Sequence, residues 1–225
     1  MMKRNMPSAP LRTALSLAVV AMALTLSSVN AGEPTSDDGE HRMKLTSSQF
    51  NNNSTLPAIA VHDIQVPGST PGTTVNACTV DGGPGGNQSP ELTWSHAPHD
   101  TRSFVVVLYD TTAAFTHWGM YNIAASAQGL PENAGVLNSA FGTEVMNDFF
   151  DGAQYDGPCP PTNVPPDVHH YVFTVYALDT KLTLSSSTNF PANAQTLYQA
   201  LIKAGQDGHI LDSASLTGLY STTPP

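Results

Sequence analysis

"HHYVFTVYALD", residues 169–179, is the stretch on which the reading of the fold turns. Aromatic and β-branched residues dominate it, and such side chains suit a pleated, half-buried surface. Successive strand residues face opposite sides, so His169, Tyr171 and Phe173 share one face while His170 points away. Five prolines between Pro158 and Pro166 precede this strand. A stiff loop thus leads directly into a histidine and a tyrosine held on one face.

The same reasoning extends outward. "SFVVVLYD" (103–110) is a β-branched run, and "PAIAVHDI" (57–64), "ELTWSH" (91–96) and "HWGMYNIAA" (117–125) read as further strands. Between them lie the turns "DGGPGGNQSP" and "GLPENAG", with Ser89 as a turn residue. "NAQTLYQALIKAG" (193–205) has helical spacing, with Leu197, Ala200, Leu201 and Ala204 on one face and Gly205 as a stop signal. The class is mainly β and antiparallel, with one short helix near the C-terminus.

Alternation puts Phe104, Val106, Leu108 and Asp110 on one side of their strand. A hairpin across 111–116 would set Asp110 opposite His117 at its mouth, and paired residues share a face. Asp110, His117, His169 and Tyr171 are therefore expected to gather at one end of a sheet, beside the proline loop. Trp118 is expected to fill core next to them.

The chain has 225 residues. Lys3, Arg4 and Arg12 precede the apolar stretch "ALSLAVVAMALTL" (14–26), and "VNA" at 29–31 ends in small residues, which is the pattern of a secretory signal peptide. At 13 residues the stretch is shorter than the roughly 20 of a membrane-spanning helix. The organisation expected is a signal peptide over 1–31 cleaved after Ala31, a disordered lead-in over 32–56 and one domain over 57–225, placed in the periplasm or secreted. No other segment is apolar enough to span a bilayer. Three of the eight Lys and Arg lie in the leader, leaving five against 18 Asp and Glu. That balance argues against nucleic acid and anionic membrane surfaces, which require a basic patch. The same balance means that any bound anion must be held mainly by backbone N–H groups and histidines. Cys78 and Cys159 in an oxidising compartment favour a disulfide over two buried thiols. "HAPH" (96–99) lacks a third ligand in its loop, so no metal or other cofactor is expected. Nucleophile-elbow, zinc-protease and phosphate-loop motifs are missing from the sequence, so it does not read as an enzyme.

"NQSPELTW" (87–94), the Asp110 strand end, "HWGMYNI" (117–123), "NDF" (147–149), "YDGPCPP" (155–161), "HHYVFTVYAL" (169–178) and "HILDSASLTGLY" (209–220) occur in one order. Over residues 57–221 the chain resembles the phosphatidylethanolamine-binding proteins, in their bacterial Raf kinase inhibitor-like branch. The resemblance implies a β-sandwich around a large central sheet, with a small pocket for phosphate or phosphorylated head groups. Asp110 matches the family's aspartate, His117 the histidine of its His-Trp pair, and His169 and Tyr171 its His-x-Tyr; Gly157, Pro160 and Pro161 match the pocket's rim. Where the family reads Asp-Pro-Asp-Ala-Pro this chain reads "DTTAAF" (110–115), which implies a looser loop.

These features imply a non-catalytic module for a small phosphorylated or anionic ligand. In it the N–H groups of Gly157 and Cys159 and the rings of His117 and His169 would donate hydrogen bonds, Tyr171 would offer its hydroxyl, and Asp110 would orient the histidines. The alternative is a protease- or kinase-inhibitor-type protein that meets its partner through the rim loops; a hydrolase is a third, weaker alternative.

Overall fold

Residues 103–110 and 169–178 run antiparallel at the centre of the largest sheet, and their sequences explain why. Both bury one apolar face, and 103–110 buries its other face as well, which only a doubly covered strand can do. The computed structural model of the chain describes residues 42–187 and 191–224, and the leader read over 1–31 lies outside them.

The strands are β1 Lys44–Thr46, β2 Ser54–Thr55, β3 Gln65–Pro67, β4 Thr74–Asn76, β5 Leu92–Ser95, β6 Ser103–Asp110, β7 Phe115–Ala124, β8 Gly129–Leu130, β9 Thr143–Glu144, β10 His169–Leu178 and β11 Ile210–Tyr220, with helix α1 at Ala194–Gln206. The large sheet has the order β2-β11-β10-β6-β7-β9; a second sheet is β1-β5-β8, and β3 and β4 pair alone. All neighbours are antiparallel except β2, which lies parallel to β11 at the edge.

Two apolar layers follow from the alternation. Phe104, Val106 and Leu108 of β6, with Tyr171, Phe173 and Val175 of β10, pack towards Leu45, Leu92, Trp94 and Leu130 of the small sheet. Val105 and Val107 face the other way, onto Leu197, Leu201 and Ala204 of α1. A fully buried leucine contributes roughly 1.5–3 kcal/mol, so two of them anchor this helix firmly. Asn193 caps α1 by accepting from Thr196 N–H, while Thr196 Oγ1 accepts from Asn193 N–H. The helix runs through Gly205, the expected stop, and ends only where Gly208 takes a positive φ of 77°.

Two expectations are corrected. Residues 57–64 form no strand: Ala58–Ala60 is a 3-10 turn, and this backbone bonds to Gly86, Asn87, Gln88 and Pro158 instead of a sheet neighbour. Residues 42–56 are no disordered lead-in. Met43, Leu45, Phe50 and Leu56 are buried, and the Phe50 ring lies 5.5 Å from that of Phe173. β11, for which the sequence reading assigned no element, pairs along all of β10. All described residues fall in one compact unit, and among them no helix is long and apolar enough to cross a membrane.

Candidate functional site

The register of β6, β7 and β10 builds the site. Tyr171 pairs with Asp110. Asp110 in turn pairs with Phe115 and not with His117, because the connection is only 111–114. His117 falls at a register shift: Leu108 pairs with Trp118 and Tyr109 with Thr116, which leaves His117 as the extra residue between them. A bulge re-aims a side chain, and here His117 turns to the face that Asp110 and Tyr171 share. The hairpin expectation thus had the right face and the wrong partner.

Asp110, His117, His169 and Tyr171 converge on a pocket of about 170 Å³ that Ala113, Phe115, Phe149, Cys159, Pro160 and Pro161 also line. Gly157 lies behind the wall. Its Cβ-free face touches Ala60 O, where an added Cβ would sit 2.0 Å away, and its N–H donates to Asn87 Oδ1 at 2.8 Å. The Gly157 N–H is therefore not available to a ligand, contrary to the expectation from sequence. A larger open groove of about 420 Å³ on the opposite sheet face is lined by Tyr109, Tyr176 and Tyr198 and holds none of the converging residues.

Asp110 is 2% exposed, and its hydrogen bonds are complete. Oδ1 accepts from Thr112 and Ala113 N–H at 2.8 and 3.0 Å, and Oδ2 lies 2.6 Å from His169 Nδ1. Burial first, and the Asp110 charge second, push the Tyr171 phenol beside it well above its ordinary range. Because the carboxylate is an acceptor, His169 carries its proton on Nδ1 and turns Nε2 to the pocket. The 111–114 loop is tight and not loose. Besides the two Asp110 bonds, Thr111 N–H donates to His170 O, and His170 N–H donates to Thr112 Oγ1.

His117 has the opposite polarity. Its Nδ1 faces two carbonyls, Asp156 O at 2.8 Å and Gly157 O at 3.1 Å, so Nδ1 must carry hydrogen. Burial holds this imidazole below its ordinary value, against the pull of those carbonyls and of Asp110. A neutral ring with hydrogen on Nδ1 presents a lone pair at Nε2. His117 is thus an acceptor in the pocket, where the sequence suggested a donor.

The rim is pinned as well. Cys78 and Cys159 form a disulfide across 81 positions, as the sequence favoured. Tyr220 donates to Cys78 O, and Thr222 donates to Pro160 O at 2.7 Å. The sequence reading missed Phe115 and Phe149, whose rings pack edge-on at 4.8 Å beside His117; both stood in quoted stretches, "DTTAAF" and "NDF", without a role. Ser89, read as a turn residue, is buried and accepts from Gly135 N–H.

Behind Phe149, His62, Asp151 and Asp156 bring ligand atoms within 4.8 Å of one another. His62 Nδ1 accepts from Asp63 N–H, so its neutral ring carries hydrogen on the Nε2 that faces Asp156 Oδ1 at 3.8 Å. That tautomer leaves no lone pair for a cation, and a metal-bound histidine normally donates through its other nitrogen. The group does not fit a metal.

The sequence model of the family described as "Phosphatidylethanolamine-binding protein" matches residues 46–221. A UPF0098 protein of Methanothermobacter thermautotrophicus is 36% identical over 142 residues, covering 60% of this chain and 84% of the relative. The UPF0098 protein YbcL of Escherichia coli is 39% identical over 113 residues, covering 47% of this chain and 61% of YbcL. The crystal structure of E. coli YbcL superposes with a TM-score of 0.58 at 29% identity, over 80% of this chain and 98% of that one. A Chlamydia trachomatis homologue, CT736, gives 0.57 at 25% identity over 80% and 98%. The matched span takes in the large sheet, the helix and every residue of the pocket, and the chain belongs to the phosphatidylethanolamine-binding protein family.

Proposed function

We propose that the chain is an exported, non-catalytic binding protein whose pocket takes phosphate or a phosphorylated head group. The observation that carries this reading is the 2.6 Å contact of Asp110 with His169 Nδ1, which leaves Nε2 as the uncommitted nitrogen of a pocket-lining ring. When His169 is protonated, Nε2–H faces the pocket and its charge is balanced by Asp110. A charge-assisted bond from it to a phosphate oxygen contributes about 1.5–3 kcal/mol.

The His117 lone pair needs a donor, and a singly protonated phosphate or phosphomonoester supplies one. The pocket therefore matches an anion that carries its own proton. Pinning by the disulfide and by Thr222 keeps the rim from having to be ordered on binding. Export is supported by the leader-like N-terminal sequence and by the disulfide. Calorimetric titration with phosphate between about pH 5.5 and 8.5 tests the reading: affinity falls as pH rises and the ligand loses the proton that the His117 lone pair accepts. Flat affinity would remove that proton from the scheme.

A second reading, contact with a protein through the rim, is favoured by Val164 and Val168, which stand 50% and 44% exposed on the segment that joins Pro161 to His169. Retention of a partner by a His169→Ala chain, with loss on substituting Val164 and Val168, would select it.

A further inference from the structure

The wall of the pocket formed by Phe149 sits on a turn with an acid pair at its root. Asn147 and Asp156 close the segment: Asn147 Nδ2 donates to Asp156 Oδ2 at 2.6 Å and to Gln154 O at 3.1 Å, while Asn147 Oδ1 accepts from Phe149 N–H. The Phe149 ring packs edge-on against His62 on one side, at 4.9 Å, and against His117 on the other, at 5.5 Å. Phe150 follows with a φ of 62° and 71% exposure. A bulky residue in the left-handed region stores strain that surrounding contacts must hold. Asp151 comes next, and an oxygen of its carboxyl lies within 4.8 Å of one of Asp156.

Asp156 is fully buried, and both its oxygens already accept, from Asn87 Nδ2 at 2.9 Å and from Asn147 Nδ2. Asp156 is thus the acceptor of the pair, and a proton shared by the two acids belongs on Asp151. The charged and titratable groups facing Asp151 are Asp156 and His62. No lysine or arginine is among them. Burial and the neighbouring Asp156 both raise the Asp151 carboxyl, which is what a proton held at that contact requires.

We propose that the Asp151–Asp156 contact is a proton-operated latch: protonated Asp151 donates to Asp156 and holds Phe149 as the pocket wall. Loss of that proton sets two carboxylates side by side and releases the 149–152 turn. The exposed partner is the one that moves, because Asp156 is fixed by two amides. The sign follows from the raised carboxyl. The closed form binds the proton more tightly than the open one, so closure is complete at low pH and declines as pH rises. The regulatory consequence rests on the pocket reading of the preceding section, but the latch itself does not.

The test is amide hydrogen exchange over residues 149–153 in the full chain without ligand, corrected for intrinsic rates, between about pH 4.5 and 7.5. In the wild type, protection falls with pH, by up to about tenfold per unit above the latch's titration. Asp151→Asn can donate at every pH and keeps the turn protected and pH-independent; Asp151→Ala leaves it unprotected throughout. A flat wild-type profile, or an Asp151→Asn chain that titrates like the wild type, overturns the latch. Protection that appears only with added calcium, magnesium or zinc and vanishes with chelator overturns it too, in favour of a metal site. A confirmed latch in a chain that binds no phosphate would refute the pocket reading alone.

Discussion

His169 Nδ1 lies 2.6 Å from Asp110 Oδ2, two residues along the strand from the register pair that sets Tyr171 opposite Asp110. The contact decides which histidine nitrogen a ligand meets, and so the sign of the site. As long as Asp110 is a carboxylate, neutral His169 shows the pocket a lone pair and protonated His169 shows it an N–H.

Asp110→Asn separates these states. The backbone N–H groups of Thr112 and Ala113 keep the amide oxygen on their side. The amide NH₂ then faces His169 Nδ1 and moves the imidazole's own hydrogen to Nε2. A neutral donor remains without the charge. Phosphate affinity at acid pH is expected to fall about tenfold, since neutral hydrogen bonds are about half as strong as charge-assisted ones. Calorimetry at mildly acid pH checks this.

The His117 lone pair makes an anion's own proton part of recognition. Methyl phosphate, which has a proton to give, should bind at least about tenfold more tightly than dimethyl phosphate or sulfate, because an unmade buried hydrogen bond costs roughly 1–3 kcal/mol. Competition titrations at one pH give the ratio; equal affinities would reverse the assigned tautomer.

A third expectation concerns stability. Glu144 accepts from Trp118 Nε1 at 2.8 Å through Oε2, while Oε1 is buried without a partner, and burial pushes this carboxyl up to about 8. An unfolded glutamate titrates near 4.5. Between those values the folded chain binds the extra proton, so stability is full at low pH and is lost as pH rises through the folded value. The steepest loss is about 1.4 kcal/mol per pH unit. Glu144→Gln keeps the Trp118 bond and removes the titration. Urea midpoints for the wild type should fall from about pH 5 to 8 while the variant lacks that decline, leaving the variant more stable at the alkaline end, by on the order of 2 kcal/mol.

The parts legible in the sequence were those set by local alternation. β6 and β10 were read with their faces and nearly their ends, because β-branched runs with period two have few other uses. The one-face gathering of Asp110, His169 and Tyr171 followed from them. What stayed hidden depends on partners far along the chain. The bulge at His117 is a property of two strands and not of either sequence. β11 is a strand only because β10 offers it a full ladder, since serines, a glycine and an aspartate dilute its own signal. Nor does spacing reveal that the Gly157 N–H is committed to a side chain 70 positions earlier. Donor and acceptor roles, which decide the ligand's chemistry, were therefore the least readable feature.

A crystal soaked in phosphate at mildly acid pH puts the central claim to its most direct test. Density is expected in the 170 Å³ pocket, with one ligand oxygen about 3 Å from His169 Nε2 and a second at the same reach of His117 Nε2. An empty pocket, or phosphate bound only outside it, would contradict an anion site at these four side chains.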